Sequence, residues 1–418
     1  MSDISPRHRY RIRHLLHCGW FIIAGIAPCH TATASAWNDK GHVKYFYNHS
    51  WFNANDYAAR SVGNSPAAHQ INARYDGAAR WDNWSMEAHY ALLVRHTAQA
   101  TFDTHPASVD STQMFTLANW LIHDDRTQAL QRVDRLNFAY TADQISMRVG
   151  RQAISWGNGI NFHPMDIFNP FVPNAIDKDY KNGDDLAYAQ WLFADGADAQ
   201  AILAPRRTKT SGDLAMDQAS IALKYRRGTM LGDVDVLIAK HYADDLIGMG
   251  WTKSSAGAVL RADAIATRSS DAQHSVAAVI NADYSWTWFE YNIYGYAEYY
   301  YQSLGMQYPY AVPAGALADR LARNEIFVRG KHYFDAGVMI ELAALVHLSP
   351  ALVYNLADGS FSMPVNISYE MKQNWLLLLG ATWNRGQRNT EFGGIKMTGT
   401  PYYAAPGQQA YLLIARYF

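Results

Sequence analysis

Charged residues are crowded into one segment of the sequence, between residues 148 and 185. Its basic members are Arg148, Arg151, Lys178 and Lys181, and its acidic members are Asp166, Asp177, Asp179, Asp184 and Asp185. Acids and bases that face each other across a wet gap create a transverse electric field, which sorts polar solutes by size and charge. We predict that these residues act on dissolved solutes through their charge, at a narrow point that the solutes must pass.

Patterns for bond-making chemistry are not found in the sequence. The 16 His residues include no H-E-x-x-H or other ligand spacing, and there is no G-x-S-x-G nucleophile turn and no glycine-rich phosphate loop. The sequence therefore predicts a protein that is not an enzyme, with no catalytic residue, no metal and no cofactor. A net charge of −1 gives no indication of nucleic-acid binding.

The elements that would position the charged segment are β-strands. Between Phe361 and Glu370, apolar residues at odd positions alternate with mainly polar residues at even positions. Side chains on a strand point to opposite faces in turn, so such a strand has one apolar and one polar face. The same alternation at 217–227, 288–301 and 332–342 predicts an all-β chain.

Composition indicates what the apolar faces contact. Charged residues make up 17% of the chain, below the share usual in soluble proteins, and aromatic residues reach 13%, yet the mean hydropathy is −0.24. Lipid-facing apolar residues that alternate with polar lumen residues give this combination in a transmembrane β-barrel. After residue 40, no long apolar stretch predicts a membrane-spanning helix. A soluble all-β protein is the alternative.

We predict that residues 37–418 form a transmembrane antiparallel β-barrel of about 18 strands, with a range of roughly 16 to 20. The predicted strands are 41–50, 69–80, 85–96, 133–141, 144–154, 185–194, 197–206, 217–227, 232–241, 244–253, 256–266, 274–284, 288–301, 332–342, 345–355, 360–370, 374–384 and 408–418. Short and long connections alternate, as expected for turns at one end of a barrel and loops at the other. The apolar stretch Met114–Ile122 breaks this alternation, so we assign it to a long loop at 97–132.

Both ends of the chain carry targeting patterns. Arginines at 7, 9, 11 and 13, an apolar run at 18–27 and small residues before Ala36 predict a signal peptide over residues 1–36 of an exported precursor. A lipid anchor on Cys29 is the alternative. The final strand resembles the signal read by the bacterial barrel-assembly machinery, with Leu412, Ile414 and Phe418 at outward positions, although Arg416 departs from that pattern. The predicted location is the bacterial outer membrane.

The loop at 155–184 should enter the barrel. Pro164, Pro170 and Pro173 stiffen it, and loops of this length without structure of their own are uncommon in open solvent. We predict that it folds inward and narrows the lumen; a lid on the surface is the alternative.

The strand that leads into this loop should carry charge on its inner face. Met147 and Val149 are expected to face lipid and Arg148 to face the lumen, because a charge is costly on the lipid side. Gly150 is expected to permit a bulge that also turns Arg151 inward.

Residues 148–185 also resemble a known family. Val149-Gly-Arg-Gln152 with Trp156-Gly157, followed by Pro164-Met-Asp-Ile-Phe-Asn-Pro170, is similar to the V-G-R-Q-x-x-x-W-G and P-x-D-x-F-N-P motifs of a family of Gram-negative outer-membrane barrels. That family is distantly similar to the alginate-export porins, which have 18 strands. The resemblance implies fold and location more firmly than function.

These expectations together favour a channel for passive passage of small hydrophilic solutes. Its other partners would be outer-membrane lipid, lipopolysaccharide and the barrel-assembly machinery. One alternative is a non-conducting scaffold, or partner of an export or electron-transfer complex, with a filled lumen. The other is an outer-membrane hydrolase, which requires a Ser or Asp beside a His on adjoining strands.

Overall fold

The computed structural model describes residues 36–99, 109–173 and 175–418. The predicted signal peptide lies outside the described residues, apart from Ala36, and so does Cys29. In the described part of the chain, no helix is long and apolar enough to cross a membrane.

The described residues form strands almost throughout. The strands are β1 (Ala36–Trp51), β2 (Ala67–Trp81), β3 (Trp84–Thr97), β4 (Ala118–His123), β5 (Thr127–Ala142), β6 (Ile145–Gln152), β7 (Asp184–Leu192), β8 (Asp198–Ala204), β9 (Ser220–Thr229), β10 (Gly232–His241), β11 (Asp244–Ser255), β12 (Ala258–Arg268), β13 (His274–Trp288), β14 (Tyr291–Gln302), β15 (His332–Ala343), β16 (Val346–Asn355), β17 (Phe361–Lys372), β18 (Trp375–Arg385), β19 (Ile395–Lys396), β20 (Tyr403–Ala404) and β21 (Gln408–Tyr417). Two short helices, α1 (Tyr57–Val62) and α2 (Gly315–Ala322), lie in connections.

Eighteen of these strands form one closed antiparallel barrel. Apart from β4, β19 and β20, each strand pairs with the barrel strands before and after it, and β1 pairs with β21 as well as with β2. The closing pairing runs from His42–Tyr417 to Trp51–Gln408, and we call it the seam. Closure removes the free strand edges that an open sheet would expose. The predicted 18-stranded antiparallel barrel is confirmed.

Strand β10 shows how the sequence builds the wall. Leu237 and Ala239 point inward and are buried, whereas Val236 and Ile238 point outward and are exposed. Across four neighbouring strands, the outward residues opposite one another are Ile238, Ile247, Ala266 and Val276. This row is part of an apolar outer band, which is the surface expected of a barrel surrounded by hydrocarbon.

The connections define two ends of the barrel. Two-residue turns such as 82–83, 143–144 and 230–231 lie at one end, which we call the turn end. The long connections, among them 153–183 and 303–331, lie at the other, the loop end. An even number of strands brings the first and last barrel strands to the same side, so both chain ends of the barrel lie at the turn end.

The prediction for residues 97–132 needs a correction. Part of the apolar stretch Met114–Ile122 forms strand β4, which pairs with β5 from Ala118–Arg132 to His123–Gln128. Strand β6 pairs with β5 only as far as Leu136–Arg151, because the chain then turns into the barrel. The edge of β5 beyond that point is covered by β4, which leaves the number of barrel strands unchanged.

Candidate functional site: a loop inside the barrel

The described residues of the connection between β6 and β7 run inside the barrel; we call residues 153–173 and 175–183 the inner loop. Five of its apolar side chains belong to one buried cluster: Ile154, Trp156, Met165, Ile167 and Phe168. They pack on lumen-facing residues of β7 to β12, namely Leu186, Ile202, Ala204, Ala222, Leu237, Ala239, Leu246 and Ile265. Burial of apolar surface is the main favourable term in folding, so this packing holds the first half of the inner loop against one side of the wall.

Glu298 on β14 anchors the inner loop through its backbone. Its carboxylate accepts hydrogen bonds from three successive N–H groups, those of Ile160 (2.6 Å), Asn161 (3.1 Å) and Phe162 (2.8 Å). The ring of Phe162 stacks on Tyr300, with 4.5 Å between centroids and 2° between planes. Hydrogen bonds to an ionised acceptor are stronger than neutral ones, so this part of the loop is firmly fixed to β14.

Two further acidic residues of the wall hold the same stretch. Asp263 on β12 accepts a bond from the backbone N–H of Asn158 at 2.6 Å and another from its side-chain amide at 2.7 Å. Asp335 on β15 accepts a bond from the side-chain amide of Asn161, and one from the hydroxyl of Tyr296 at 3.3 Å. The carboxylates on this side of the lumen are therefore engaged by donors of the inner loop and its neighbours.

The second half of the inner loop crosses to the seam. Lys44 on β1 donates from Nζ to Asp177 at 2.7 Å and to Asp179 at 2.5 Å, and Tyr417 on β21 donates its hydroxyl to Asp179 at 2.8 Å. Burial opposes ionisation of Asp179, but the bonds from Lys44 and Tyr417 outweigh it and lower the pKa of that carboxyl. Asp179 therefore joins the first and last strands from the inside.

Asp166 and Lys181 form an ion pair within the inner loop. The ammonium lies 2.7 Å and 2.5 Å from the two carboxylate oxygens, and both side chains are buried. Burial raises the pKa of Asp166 to about 6, although Lys181 opposes that shift, and burial also lowers the pKa of Lys181. Removing two charges from water offsets much of their attraction, so the pair fixes position more than it adds stability.

Arg151 and Asp185 pair with each other where β6 ends and β7 begins. The guanidinium donates from Nε and Nη2 to both oxygens of Asp185, at 2.8 and 2.9 Å, and from Nη1 to Asp110 at 2.9 Å. Strand pairing passes through Gly150 without a register shift, so the expected bulge is wrong. Arg151 shares its strand face with exposed Val149 and is buried by contact with the segment that holds Asp110.

The other predicted residues are placed as follows. Asp184 accepts a bond from Arg206 at 2.5 Å, and Lys178 donates to the side-chain carbonyl of Asn161 at 3.1 Å. Arg148 points into the lumen and, within the described chain, has neither an ion pair nor a side-chain hydrogen bond. That the nine charged residues line the narrowest part of a passage stays a prediction.

A second charged cluster lies beside Tyr180 of the inner loop. The guanidinium of Arg74 on β2 is 3.8 Å from the Tyr180 ring centroid and pairs with Asp134 on β5. Arg132 lies 2.6 Å from the same Asp134, and Tyr180 donates its hydroxyl to Asp76. Acids and bases are interleaved in this cluster, so their charges largely neutralise one another.

A serine and a histidine do lie side by side on adjoining strands. Ser220 Oγ is 2.8 Å from Nδ1 of His241, whose Nε2 is 3.3 Å from a carboxylate oxygen of Glu325. This is the neighbouring pair that the hydrolase alternative requires. The serine oxygen already accepts a bond from Arg206 at 2.5 Å, however, and both Ser220 and His241 are buried away from any substrate. The three residues attach the 303–331 connection to the wall.

A cavity of about 1050 Å³ lies at the loop end. It is lined by residues 109–113 and 208–210, by helix α2 and, from the wall, by Arg132 and Asp134. Charges of both signs border it, so the space suits a hydrated polar molecule rather than an apolar one.

Several residues of the site are missed by sequence reasoning, among them Lys44, Asp263, Glu298 and Asp335. A signal for the inner loop does exist. The runs 201–204 and 236–239 are apolar on both strand faces, whereas a wall between lipid and water should be apolar on one. Such runs indicate that apolar side chains from another part of the protein cover the inner face and exclude water from it.

No group of three or more His, Cys, Asp or Glu side chains suited to a metal ion occurs in the described ranges.

No protein-family model and no curated protein matches the sequence. Solved structures are similar in fold. Acinetobacter baumannii OccAB2 gives a TM-score of 0.55 at 8% identity, over 93% of this chain and 99% of that one.

Two further solved structures are similar to the same extent. A BenF-like porin from Pseudomonas fluorescens Pf-5 gives a TM-score of 0.54 at 8% identity, over 92% of this chain and 99% of that one. Pseudomonas aeruginosa OccK2, in complex with glucuronate, gives 0.52 at 8% identity, over 93% and 99%. At such identities the likeness concerns the fold: this chain has the fold of outer-membrane porins. The resemblance to alginate-export porins stays a prediction.

Proposed function

We propose that the chain is an outer-membrane channel for passive passage of small hydrophilic solutes, with no chemical step. The observation that carries this proposal is the inner loop, which extends through a lumen lined with polar and charged groups from Asp263 and Glu298 on one side to Lys44 on the other. Outside, the wall is apolar. A barrel of this strand number has room for water unless loops fill it.

The location that we propose is the outer membrane of a Gram-negative bacterium, reached by an exported precursor that loses residues 1–36. Leu412 and Ile414 lie on the outward face of β21, and Phe418 is exposed beyond it. These positions support recognition of the last strand by the barrel-assembly machinery. In this orientation the turn end lies in the periplasm and the loop end outside, among lipid and lipopolysaccharide.

The solute class follows from the charges along the inner loop. Asp166, Asp177 and Asp179 each have a basic partner within hydrogen-bond distance, so a solute meets alternating charges rather than a field of one sign. Such a lining sorts polar molecules by size and by the placing of their own polar groups. The bound glucuronate of OccK2, a sugar acid, supports a small polar solute of this kind.

Single-channel recording in planar bilayers tests the proposal. The wild-type protein should conduct ions in discrete steps. Glu298→Ala removes the acceptor of three loop N–H groups, so the inner loop should detach from β14 and conductance should rise. The matched control is Glu341→Ala, which removes a lumen carboxylate that is bonded to Asn292 instead and should change conductance far less.

The scaffold alternative predicts a different result. If correctly folded wild-type protein gives no conductance steps and solutes do not enter proteoliposomes, the lumen is filled and the channel proposal fails. For the hydrolase alternative, Ser220→Ala is informative, because any hydrolysis by the purified protein should then disappear.

A further inference from the structure

Four outward-facing polar side chains form a row at the loop end. Lys240 on β10 is opposite Asp245 on β11, which is opposite Arg268 on β12, which is opposite His274 on β13. Neighbouring strands are about 4.8 Å apart, so the row extends over about 14 Å of the barrel circumference. We call these four residues the rim row.

The rim row directly adjoins the apolar outer band. Two residues further along each strand, the outward positions are Ile238, Ile247, Ala266 and Val276. Charged groups avoid hydrocarbon, and the energetic penalty for them falls toward the membrane surface. The rim row therefore lies where hydrocarbon ends and lipid headgroups begin.

The rim row carries more positive than negative charge. Lys240 and Asp245 form an ion pair at 2.9 Å, with about half of each side chain exposed. Among the residues that the structure describes, the side chains of Arg268 and His274 have neither an ion-pair nor a hydrogen-bond partner. An exposed guanidinium with free donors matches the geometry of a phosphate group, which it can bind through two parallel hydrogen bonds.

We propose that the rim row binds the phosphate groups of lipopolysaccharide, whose acyl chains then lie on the apolar band beside Ile238 and Val276. This inference depends on the proposed outer-membrane orientation, because that orientation places the loop end in the leaflet that holds lipopolysaccharide. The width of the row suits a broad glycolipid with several chains and more than one phosphate. An ordinary phospholipid, with one phosphate, spans less of it.

The test compares two double variants of the full-length protein. Lys240→Gln with Arg268→Gln removes both permanent positive charges of the rim row. Arg227→Gln with Lys253→Gln removes two outward-facing positive charges at the turn end, where Arg227 lies 3.3 Å from Asp195. Each protein is titrated with purified lipopolysaccharide, with the same lipopolysaccharide after enzymatic removal of its phosphates, and with phosphatidylglycerol.

The wild-type protein and the turn-end variant should bind intact lipopolysaccharide equally, and the rim variant should bind it roughly 10-fold more weakly, since two charge-assisted contacts are lost at an exposed site. Dephosphorylated lipopolysaccharide should bind all three proteins weakly. Equal binding by the rim and turn-end variants overturns the proposal, and so does equal binding of phosphatidylglycerol and lipopolysaccharide to the wild-type protein.

Conductance separates this inference from the channel proposal. In bilayers free of lipopolysaccharide, the rim variant should conduct like the wild-type protein, because its substitutions are on the outer face. If the rim variant loses lipopolysaccharide binding but conducts normally, the result supports the binding site at the rim row. If the wild-type protein binds lipopolysaccharide but does not conduct, the result contradicts only the channel proposal.

Discussion

The ring of Phe418 packs directly on the backbone of Gly41. The two residues also exchange backbone hydrogen bonds, from Gly41 N–H to Phe418 C=O at 2.9 Å and from Phe418 N–H to Gly41 C=O at 3.0 Å. A side chain at position 41 would meet the Phe418 ring at 2.7 Å and the carbonyl oxygen of Arg74. The end of the seam therefore depends on a glycine beside the terminal aromatic residue.

The first prediction is that Gly41→Ala destabilises the closed barrel. The Phe418 ring can move, but the Arg74 carbonyl belongs to the neighbouring strand and cannot move freely. The variant should therefore lose about 1–3 kcal/mol of folding stability. The measurement is the temperature at which the compact form on SDS electrophoresis converts to the unfolded form. The control is Gly228→Ala, where the new methyl group would meet the movable Asp233 carboxylate at 3.3 Å. Equal conversion temperatures for the two variants would count against this view of the seam.

The second prediction compares two adjacent residues of β10. Leu237→Ala should weaken docking of the inner loop by about 2–5 kcal/mol, because it leaves a cavity beneath Met165 and its neighbours. Ile238→Ala should have little effect, since Ile238 is 58% exposed and lipid or detergent replaces the lost methyl groups. Hydrogen exchange of residues 154–168 should increase in the first variant. Faster exchange in both variants would show that the wall, and not the loop contact, was affected.

The third prediction concerns pH. Burial raises the pKa of Asp166 to about 6, so the docked loop binds this proton more tightly than the undocked loop. The stabilisation is complete below the ordinary aspartate pKa and is lost as pH rises through about 6. Between about pH 4 and pH 6, docking of the wild-type loop should therefore weaken by about 2 kcal/mol relative to Asp166→Asn. Hydrogen exchange of the inner loop across this range measures the difference, and parallel pH profiles for the two proteins would refute it.

The same ion pair gives a fourth prediction. Lys181→Met leaves the Asp166 carboxylate buried without its partner and should be strongly destabilising, by about 3–5 kcal/mol. Replacing both residues, with Asp166→Leu and Lys181→Met, should restore most of that loss, because no charge then remains buried. Thermal unfolding of the two variants and the wild-type protein checks this order. A double variant no more stable than Lys181→Met would mean that the charges themselves hold the loop.

The fifth prediction is that Tyr417→Phe lowers the stability of the seam. It removes the hydroxyl that donates to Asp179 at 2.8 Å, at a cost of about 1 kcal/mol. Asp179→Ala should cost more, because Lys44 is buried and would keep Asp177 alone as its acidic partner. The conversion temperature on SDS electrophoresis is again the measurement. Tyr369→Phe, on the outer face of β17, is the matched control and should leave that temperature unchanged.

Strands could be predicted from the sequence because their signal is local. The alternation between Phe361 and Glu370 corresponds to β17, which ends at Lys372. The two-residue periodicity of a strand can be recognised within its own ten or so residues. Strand β4 was not predicted because it has only six residues and forms by pairing with the edge of β5 that β6 leaves uncovered. That edge is a property of three strands together.

The candidate site was harder to predict from local sequence patterns. The charged residues 148–185 indicated where the loop lies, but Lys44, the partner of Asp177, is 133 residues away in sequence. Nothing in the local pattern predicts such a pairing, which depends on closure of the whole barrel. Arg151 is a second example, because one of its acidic partners, Asp110, lies 41 residues away in sequence.

The bonds of Asp179 to both β1 and β21 carry a consequence for the order of folding. These two strands are separated by nearly the entire chain, and contacts of such separation form late. Asp179 can bond to Lys44 and Tyr417 at the same time only when these two strands lie side by side. Complete docking of the inner loop and pairing of the first strand with the last therefore belong to the same late stage of folding, and each stabilises the other.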